Sequence, residues 1–506
     1  MTAEFEQIGV IGAGAMGRGI AQIAAQAGSQ VWLLDNQAGA AEQACDALAA
    51  QWDKLQSKGK CSAQQVQQWR AALHVAQAPA DLASTNLVIE AVVERLDVKQ
   101  ALFAELENVV SPHTVLASNT SSLSIAAIAS ALRDPSRFAG YHFFNPVPLM
   151  RVVEVVAGVR TDPQVVQRLV RYASAMGHKA VVAQDTPGFI VNHAGRGYGT
   201  EALRLLGEGV CDVVTTDRIL RDQAGFKLGP FELFDLTGLD VSHPVMESIY
   251  QQYYAEPRYR PSVITAQRLI AGLVGRKKGE GFYRYEQNQA LTPPEPEAPV
   301  LETLPPVWVS PKAARRAELL QWLKAQQVSI ETGAAPSAAA LIVVAPLGFD
   351  ITTLAAVEGL DASRTVGIDM LLPDAATKRR VLATNPATRQ DMRQAAHALF
   401  ARDGKPVSVI RDSAGFVTQR VLASVVNIAA DICQQGICSP ADLDLAVTLG
   451  LGYPNGPLAW GDALGPSNVL EILFNMQTVY GDPRYRPSPW LRRRAALGLS
   501  LLHTEA

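Results

Sequence analysis

The 506-residue sequence contains no run of 18 or more apolar residues, so we expect no membrane-spanning helix. No large excess of one sign of charge occurs, since 45 lysines and arginines stand against 48 aspartates and glutamates. This balance argues against a basic surface that binds nucleic acid. The first residues, MTAEFEQIGVIGAG, are acidic and enter a predicted strand, unlike a signal or transit peptide. The sequence therefore predicts a cytoplasmic protein that works without a membrane or nucleic acid.

Cysteine is scarce as well, with five residues scattered at positions 45, 61, 211, 433 and 438. An odd and scattered set is typical of a reducing compartment and not of a disulfide framework. Cys433 and Cys438 lack the further ligands and the spacing of a zinc site, so we expect no metal. The hydrophobic content of 48% and the length instead predict a folded protein of two to four domains.

A glycine-rich loop stands between the first predicted strand and the first predicted helix. Gln7–Ile11 reads as a buried strand, and GAGAMG follows it at Gly12, Gly14, Ala15, Met16 and Gly17. Glycines in this place allow the backbone to approach a pyrophosphate, which the helix N-terminus favours. The next predicted strand, at 30–34, ends in Asp35, a carboxylate that would accept from the adenosine ribose and repel a 2′-phosphate. The pattern predicts NAD as the cofactor, in preference to NADP.

The stretch RFAGYHFFNPVPLMRVVEVV at 137–156 places His142 and Glu154 inside apolar runs. Burying either side chain is costly unless the two pair with each other or bind something else. A satisfied core histidine with an unrelated carboxylate is the alternative, and these residues by themselves do not decide.

Polar residues follow two further predicted strands. Glu94 and Lys99 follow NLVIEA, and the hydroxyl-rich segment 118–122 follows TVLA. Alternating strands and helices predict a parallel sheet, whose ligands lie at the C-terminal strand ends. His142 ends the next strand, so these groups are expected in one crevice. The hydroxyl-rich segment also fits a plain helix cap.

Three segments, SNTSSLSI at 118–125, the stretch at 137–156, and DTPGFIVN at 185–192, resemble the L-3-hydroxyacyl-CoA dehydrogenase family. The resemblance spans roughly residues 5–285. It implies that His142 is the catalytic acid/base, that Glu154 pairs with it, and that Ser121 and Asn192 contact the substrate oxygen. An imidazole can take and return a proton near neutral pH, which suits the oxidation of a secondary alcohol. Glu154 would hold the tautomer, as the acid of a triad does.

The same resemblance implies the ligand contacts. An acyl-CoA is the expected substrate, and Lys58 is the expected contact to a CoA phosphate, although Gln51 stands where the family often has serine. The implied cofactor-binding residues, besides the glycine loop, are Asp35, Glu94, Lys99, Ser121, Asn145 and Lys277.

The second half of the sequence repeats the first at an offset of 227 residues. Ser136-Arg137 recurs as Ser363-Arg364, Gly229-Pro230 recurs as Gly456-Pro457, and a proline-rich linker precedes the repeat. We expect an α/β Rossmann-type doubly wound parallel sheet followed by an all-α domain, with a second, truncated α/β plus all-α copy. The predicted segments are 1–184 (NAD-binding), 185–285 (helical), 286–309 (linker), 310–411 (truncated Rossmann-like) and 412–506 (helical).

The second copy lacks the chemistry of the first. Asp369 stands in the place of His142, Gly348 in that of Ser121, and Gln419 in that of Asn192. We therefore expect a non-catalytic second half whose helices pack on the first helical copy as a partner subunit would. The chain is then a monomer with an internal pseudo-dimer or a homo-oligomer.

Family members with a duplicated half of this length resemble the 3-hydroxyadipyl-CoA dehydrogenase of bacterial phenylacetate catabolism. The leading prediction is an NAD-dependent (3S)-3-hydroxyacyl-CoA dehydrogenase of this type, in a pathway of the β-oxidation and fatty-acid kind. Oxidation of 3-hydroxybutyryl-CoA or of a free hydroxy acid such as gulonate is the alternative. A non-catalytic structural protein is the third interpretation, and the intact set of site residues argues against it.

Overall fold

The computed structural model describes residues 4–505, which divide into two compact units. The first unit comprises the chain up to His193 together with Gln435–Leu451, and the second comprises Ala194–Gln434 together with the chain from Gly452. No helix among the described residues is long and apolar enough to cross a membrane.

Within the described part of the chain, the first unit is built on an eight-stranded sheet. Its strands, numbered in chain order, are arranged as β3-β2-β1-β4-β5-β6-β7-β8. All neighbours are parallel except β6 and β7. The strands in the middle of the sheet are buried and rich in apolar residues, as strands covered on both faces are. The strands of the sheet are β1 (Gln7–Ile11), β2 (Gln30–Leu34), β3 (Leu73–Val75), β4 (Leu87–Glu90), β5 (Val115–Ser118), β6 (Phe138–Phe143), β7 (Val152–Ala157) and β8 (Lys179–Gln184).

Helices connect these strands and cover the sheet. One apolar cluster joins Ile20 of the first helix and Leu48 of the second to strand residues such as Val10 and Leu33. The helices are α1 (Ala15–Gln26), α2 (Ala40–Ser57), α3 (Ala63–Ala71), α4 (Leu96–Val109), α5 (Ile125–Ala129), α6 (Pro163–Ala175) and α7 (Val191–Ala194). The strand order, with the reversal between β1 and β4, is that of a doubly wound Rossmann-type sheet, and the predicted fold class is confirmed.

The second unit begins with a helical segment and a short hairpin. Phe231, Phe234, Leu239 and Met246 form its apolar centre. Its elements are α8 (Arg196–Gly207), α9 (Val213–Ala224), α10 (Pro230–Thr237), α11 (Leu239–Gln252), α12 (Val263–Ile270), β9 (Tyr285–Glu286) and β10 (Gln289–Ala290).

A second sheet follows in this unit, in the order β12-β11-β13-β14-β15-β16. Its last four strands repeat β5 to β8 in order, in direction and at the offset of 227 residues, including one antiparallel pair, β14 with β15. The elements are β11 (Val307–Val309), α13 (Arg316–Ala325), β12 (Ile330–Glu331), β13 (Leu341–Val344), α14 (Ile351–Glu358), β14 (Thr365–Ile368), β15 (Arg380–Thr384), α15 (Gln390–Phe400) and β16 (Val407–Arg411). The predicted truncated copy is present.

The second helical copy packs on the first within this unit. Helix α16 lies against α8, and its fully buried Arg420 contacts Glu201 at 2.5 Å and Glu208 at 2.7 Å. Tyr485 donates to the same Glu201 at 2.7 Å. The helices of this copy are α16 (Thr418–Gln434), α17 (Pro440–Gly450), α18 (Pro457–Leu464), α19 (Pro466–Tyr480) and α20 (Pro489–Leu497). The expected packing of one helical copy on the other is therefore present, while the oligomeric state stays a prediction.

Helix α17 belongs to the first unit, where it packs on β7 and β8. Gln184 N donates to Ile437 O at 2.9 Å, and in the second unit Arg411 N donates to Val210 O at 3.0 Å. These two bonds are equivalent, because Arg411 corresponds to Gln184 and Ile437 corresponds to Val210 at the offset of 227 residues. Each sheet therefore binds a helical segment from the other copy. The compact units therefore do not follow the chain order of the predicted segments, since Gln435–Leu451 belongs to the first unit. The predicted segment boundaries stay a prediction.

Candidate active site

The glycine loop is shaped for close approach of a ligand. A Cβ on Gly17 would lie 1.7 Å from Gly12 O, and one on Gly12 would lie 2.5 Å from Ala91 O. A Cβ on Gly14 would meet nothing within 4 Å, and Gly14 begins α1 without a side-chain cap. Ala15 and Met16 then form its first turn, at the surface of the loop. The packed glycines and the open helix N-terminus fit the diphosphate of NAD.

Asp35 follows β2 and is bound to the glycine loop. Its Oδ2 accepts from Ala13 N at 2.6 Å and its Oδ1 accepts from Gln37 N at 2.9 Å. The carboxylate is half-buried, so lone pairs remain for a ribose hydroxyl. The residues present thus fit NAD at the adenosine end as well.

His142 and Glu154 face each other across the antiparallel pair β6 and β7. His142 Nδ1 lies 2.5 Å from Glu154 Oε2, and the two side chains are 6% and 0% exposed. Because a carboxylate only accepts, Nδ1 carries the proton of this bond and Nε2 is the nitrogen left for proton transfer. The rings of Phe144 and Phe189 lie 4.4 and 5.9 Å from the imidazole. The pair is not a pair of unrelated core residues.

The other oxygen of Glu154 holds a second element. Oε1 accepts from Ile190 N at 2.8 Å and from Val191 N at 2.9 Å, at the start of α7. Asn192 follows in the same turn, and its Nδ2 donates to Ser121 O at 3.3 Å. One carboxylate therefore links His142 to the turn that carries Asn192 and reaches Ser121.

Glu94 organises the hydroxyl-rich segment after β5. Its Oε1 accepts from Thr120 Oγ1 at 2.7 Å, Ser121 N at 2.9 Å and Ser122 Oγ at 3.0 Å, and the Ser121 hydroxyl lies farther away, at 3.3 Å. Burial alone would raise the pKa of Glu94, but Lys99 and these hydrogen bonds outweigh burial and hold the pKa below its usual value. The segment is thus a bound loop and not a plain helix cap.

Lys99 is almost fully buried and lies between two carboxylates. Its Nζ is 2.5 Å from Glu90 Oε1 and 3.3 Å from Glu94 Oε2. Glu90 is a site residue that the sequence reasoning missed. The available signal was the one that singled out Glu154, a glutamate inside a buried strand.

The remaining predicted residues lie at the surface. Asn145 is exposed and precedes Pro146 through a cis peptide bond. Lys58 is exposed at the end of α2. Lys277 lies in the second unit, half-exposed, with its Nζ 2.7 Å from Asp240. Their predicted ligand contacts stay predictions.

Asp185 ties the DTPGF segment to the start of α5. Its carboxylate accepts from Ser124 Oγ at 2.8 Å, Ile125 N at 2.9 Å and Ala126 N at 2.7 Å. Asp412 makes the same bonds to Ile351 N and Thr352 N in the second copy. This repeated residue therefore serves the fold in both copies.

In the second copy, the residues that replace the site bind one another. Gln419 Nε2 donates to Asp369 Oδ1 at 2.9 Å, and Gly348 N donates to Gln419 Oε1 at 2.8 Å. Gly348 has φ +78°, and a Cβ there would lie 2.5 Å from Ile472 O of α19. Position 348 thus has no room for the serine of the first copy.

Asp369 gives the second copy a pH-dependent stability. Its Oδ2 is buried without a hydrogen-bond partner among residues 4–505, and burial raises the pKa of Asp369 to about 6, against the bonds from Gln419 and Leu371 N. Because the pKa of Asp369 is higher in the folded than in the unfolded state, the protonated carboxyl favours folding more than the ionised one does. This contribution to the free energy of unfolding is fully present below the unfolded-state pKa of about 3.9 and is lost as the pH rises through about 6. Between pH 5 and 8, wild type should lose about 1 kcal/mol of unfolding free energy relative to Asp369→Asn.

Urea unfolding of both proteins at pH 5 and pH 8 checks this. Asp361→Asn is the control, because Arg364 and Ser363 hold the pKa of Asp361 at about 2, below the tested range. If the difference in unfolding free energy between wild type and Asp369→Asn were the same at the two pH values, the raised pKa of Asp369 would be contradicted.

Comparison with known proteins agrees with this geometry. Residues 7–186 match the family model described as 3-hydroxyacyl-CoA dehydrogenase, NAD binding domain, and residues 188–285 and 415–501 each match its C-terminal domain. The chain is 37% identical to the Escherichia coli 3-hydroxyadipyl-CoA dehydrogenase over 98% of this chain and 99% of that protein. The human mitochondrial hydroxyacyl-coenzyme A dehydrogenase is 37% identical over 56% of this chain and 91% of its own length.

A solved structure matches over nearly the whole chain. The crystal structure of an E. coli 3-hydroxybutyryl-CoA dehydrogenase is 36% identical, with a TM-score of 0.85 and coverage of 97% of this chain and 98% of that one. The two matches to the C-terminal domain model agree with the duplicated helical segment. The chain belongs to the 3-hydroxyacyl-CoA dehydrogenase family and is an NAD-dependent enzyme of that class.

Proposed function

We propose that this chain oxidises (3S)-3-hydroxyacyl-CoA to 3-oxoacyl-CoA with His142 as the acid/base, at one active site per chain. The observation that carries the proposal is the link from His142 through Glu154 to the turn of Asn192 and on to Ser121. This link brings four predicted site residues together at the ends of β5 and β6.

The residues of this link divide the work of proton transfer and orientation. His142 Nε2 takes the hydroxyl proton in oxidation and returns it in reduction, while Glu154 fixes the tautomer and stabilises the imidazolium. Ser121 and Asn192 hold the substrate oxygen in line with the imidazole. NAD, when bound, supplies the hydride acceptor. The aromatic rings beside His142 exclude water from the proton-transfer path.

The acyl group that we propose is dicarboxylic, as in 3-hydroxyadipyl-CoA. Support comes from the relative with that name, which this chain matches over nearly its whole length. The second candidate is 3-hydroxybutyryl-CoA, which is favoured by the full-length structural match to a 3-hydroxybutyryl-CoA dehydrogenase. In the first case the enzyme would serve phenylacetate degradation, a β-oxidation type of pathway, in the cytoplasm.

A substrate panel separates the candidates. We expect kcat/KM with NADH to be at least tenfold higher for 3-oxoadipyl-CoA than for acetoacetyl-CoA, an energy of about 1.4 kcal/mol. Free acetoacetate with NADH, and gulonate assayed in the oxidation direction with NAD, should be far poorer substrates, because binding energy from the CoA part is used at the reacting centre. A preference for acetoacetyl-CoA would favour the second candidate, and equal rates with the free acid would contradict an acyl-CoA enzyme.

A further inference from the structure

Glu90 is a buried carboxylate at the C-terminal end of β4, beside the hydroxyl-rich loop of the site. It is 0% exposed and Lys99 is 1% exposed. Oε1 accepts from Lys99 Nζ at 2.5 Å and from Val92 N at 2.7 Å, and Oε2 accepts from Ser118 Oγ at 2.7 Å. Both oxygens are therefore used, and the bonds to Lys99 and Ser118 lead toward the loop.

The first connection runs through the buried ammonium. Lys99 Nζ lies 3.3 Å from Glu94 Oε2, and Glu94 Oε1 accepts from both the amide and the hydroxyl of Ser122, at 3.1 and 3.0 Å. Glu94 also accepts from Ser121 N at 2.9 Å. Lys99 thus connects Glu90 to Glu94, the carboxylate that binds the loop.

The second connection runs through Ser118. Its hydroxyl donates to Glu90 and accepts from Thr120 N at 3.2 Å. This bond fixes the backbone one residue before Ser121. Glu90 therefore holds the loop from two sides, once through charge and once through a hydroxyl.

Glu90 is the nearer of the two carboxylates that face the buried Lys99. A buried ammonium is stable only with a close and well-bonded counter-charge. Glu94 lies farther from Lys99 Nζ and its side chain is 36% exposed, whereas Glu90 lies closer to Lys99 Nζ and its side chain is 0% exposed. Without the charge of Glu90, Lys99 would pull Glu94 toward itself and away from the loop.

The Ser121 hydroxyl is the group in this network that is available to a ligand. Its bond to Glu94 is 3.3 Å long, whereas the Thr120 hydroxyl bonds the same oxygen at 2.7 Å. The Ser121 hydroxyl can therefore turn to a substrate oxygen at little cost, provided that its backbone stays in place.

We propose that Glu90 is a positioning residue for the dehydrogenase reaction, which acts through Lys99, Glu94 and Ser118 to fix Ser121. This inference rests on the proposed contact of Ser121 with the substrate oxygen. Because Glu90 is 0% exposed, we assign it no direct contact with substrate or cofactor.

A double-mutant cycle between Glu90 and Ser121 tests the proposal in the full-length enzyme at saturating NAD. Misplacing a substrate-positioning group by about 1 Å can cost ~10²-fold, so we expect Glu90→Gln to lower kcat/KM for the acyl-CoA roughly 10- to 100-fold. In the Ser121→Ala background the same change should cost less than about threefold, because the two changes remove one function.

The control is Glu107→Gln at the other end of α4. Glu107 is also buried, and it accepts from Arg133 N at 2.8 Å and Asp134 N at 2.9 Å, which lie outside the hydroxyl-rich segment. It should lower the melting temperature and leave kcat/KM within about twofold in both backgrounds. An equal effect of Glu90→Gln with and without Ser121 would overturn the proposal.

Two further outcomes separate this proposal from the function on which it rests. A Ser121→Ala enzyme with normal kcat/KM would contradict the proposed role of Ser121 itself. If Glu90→Gln does not fold, Ser118→Ala replaces it, because that change removes one hydroxyl and keeps every charge. Its loss of rate should also shrink in the Ser121→Ala background, and an undiminished loss would overturn the proposal.

Discussion

Replacing His142 with glutamine should lower kcat roughly 10²- to 10⁴-fold, the range that a positioned acid or base contributes. Glutamine keeps a polar group of similar size but cannot take up a proton at neutral pH. The affinity for NADH, measured by fluorescence titration, should stay within about threefold, because the glycine loop and Asp35 do not contact His142.

His243→Gln is the matched control. His243 is a buried histidine of the second unit, with Nδ1 3.0 Å from Thr265 Oγ1, and its replacement should affect stability more than rate. Near-normal turnover by His142→Gln would contradict the assignment of His142 as the acid/base.

Replacing Glu154 with glutamine should lower kcat by about 10³- to 10⁴-fold, as loss of the orienting acid of a triad does. The change should also raise KM for the acyl-CoA, because in the wild type Oε1 accepts from the backbone N–H groups of Ile190 and Val191, beside Asn192. An amide group offers one acceptor oxygen and cannot serve both His142 and these two N–H groups. Steady-state kinetics with each substrate varied in turn would show both effects.

Asp185→Asn is the control for Glu154. Asp185 caps α5 through Ile125 N and Ala126 N and does not bond to His142. Its replacement should lower stability with a much smaller loss of kcat. If Glu154→Gln changed kcat no more than Asp185→Asn does, Glu154 would be a structural residue.

Local sequence pattern was sufficient to select several residues that lie together in the structure. The glycine loop with Asp35 follows from a strand, a turn and a helix in succession, and His142 and Glu154 stand out as polar residues in apolar runs. Glu90 has the same signature within NLVIEA, yet its role depends on Lys99, nine residues later in the next helix. A buried pair of this kind becomes evident only when both side chains are placed.

The sequence does not predict that α17, a helix of the second copy, packs on strands β7 and β8 of the first sheet. The repeat predicts that α17 exists, since it copies α9, but a helical pattern does not specify which sheet its apolar face covers. The backbone bond between Gln184 and Ile437 connects residues about 250 positions apart, and no local signal encodes it.

The duplication separates residues that serve the fold in both copies from candidate site residues that occur in the first copy alone. Asp185 and Asp412 cap equivalent helices in both copies, so selection for folding suffices to explain them. His142, Glu154 and Ser121 correspond to Asp369, Val381 and Gly348, and Gly348 has no room for a side chain. The second copy therefore keeps the sheet and its caps without the proposed proton-transfer pair.

The most direct test of the central claim is the pH dependence of kcat/KM for oxidation of the 3-hydroxyacyl-CoA, compared between wild type and His142→Gln. A base must be unprotonated to accept the hydroxyl proton, so the wild-type rate should fall tenfold per pH unit on the acidic side. In His142→Gln this acidic limb should disappear from the residual rate. The same acidic limb in the variant would contradict the account, because the titrating base would then be a group other than His142.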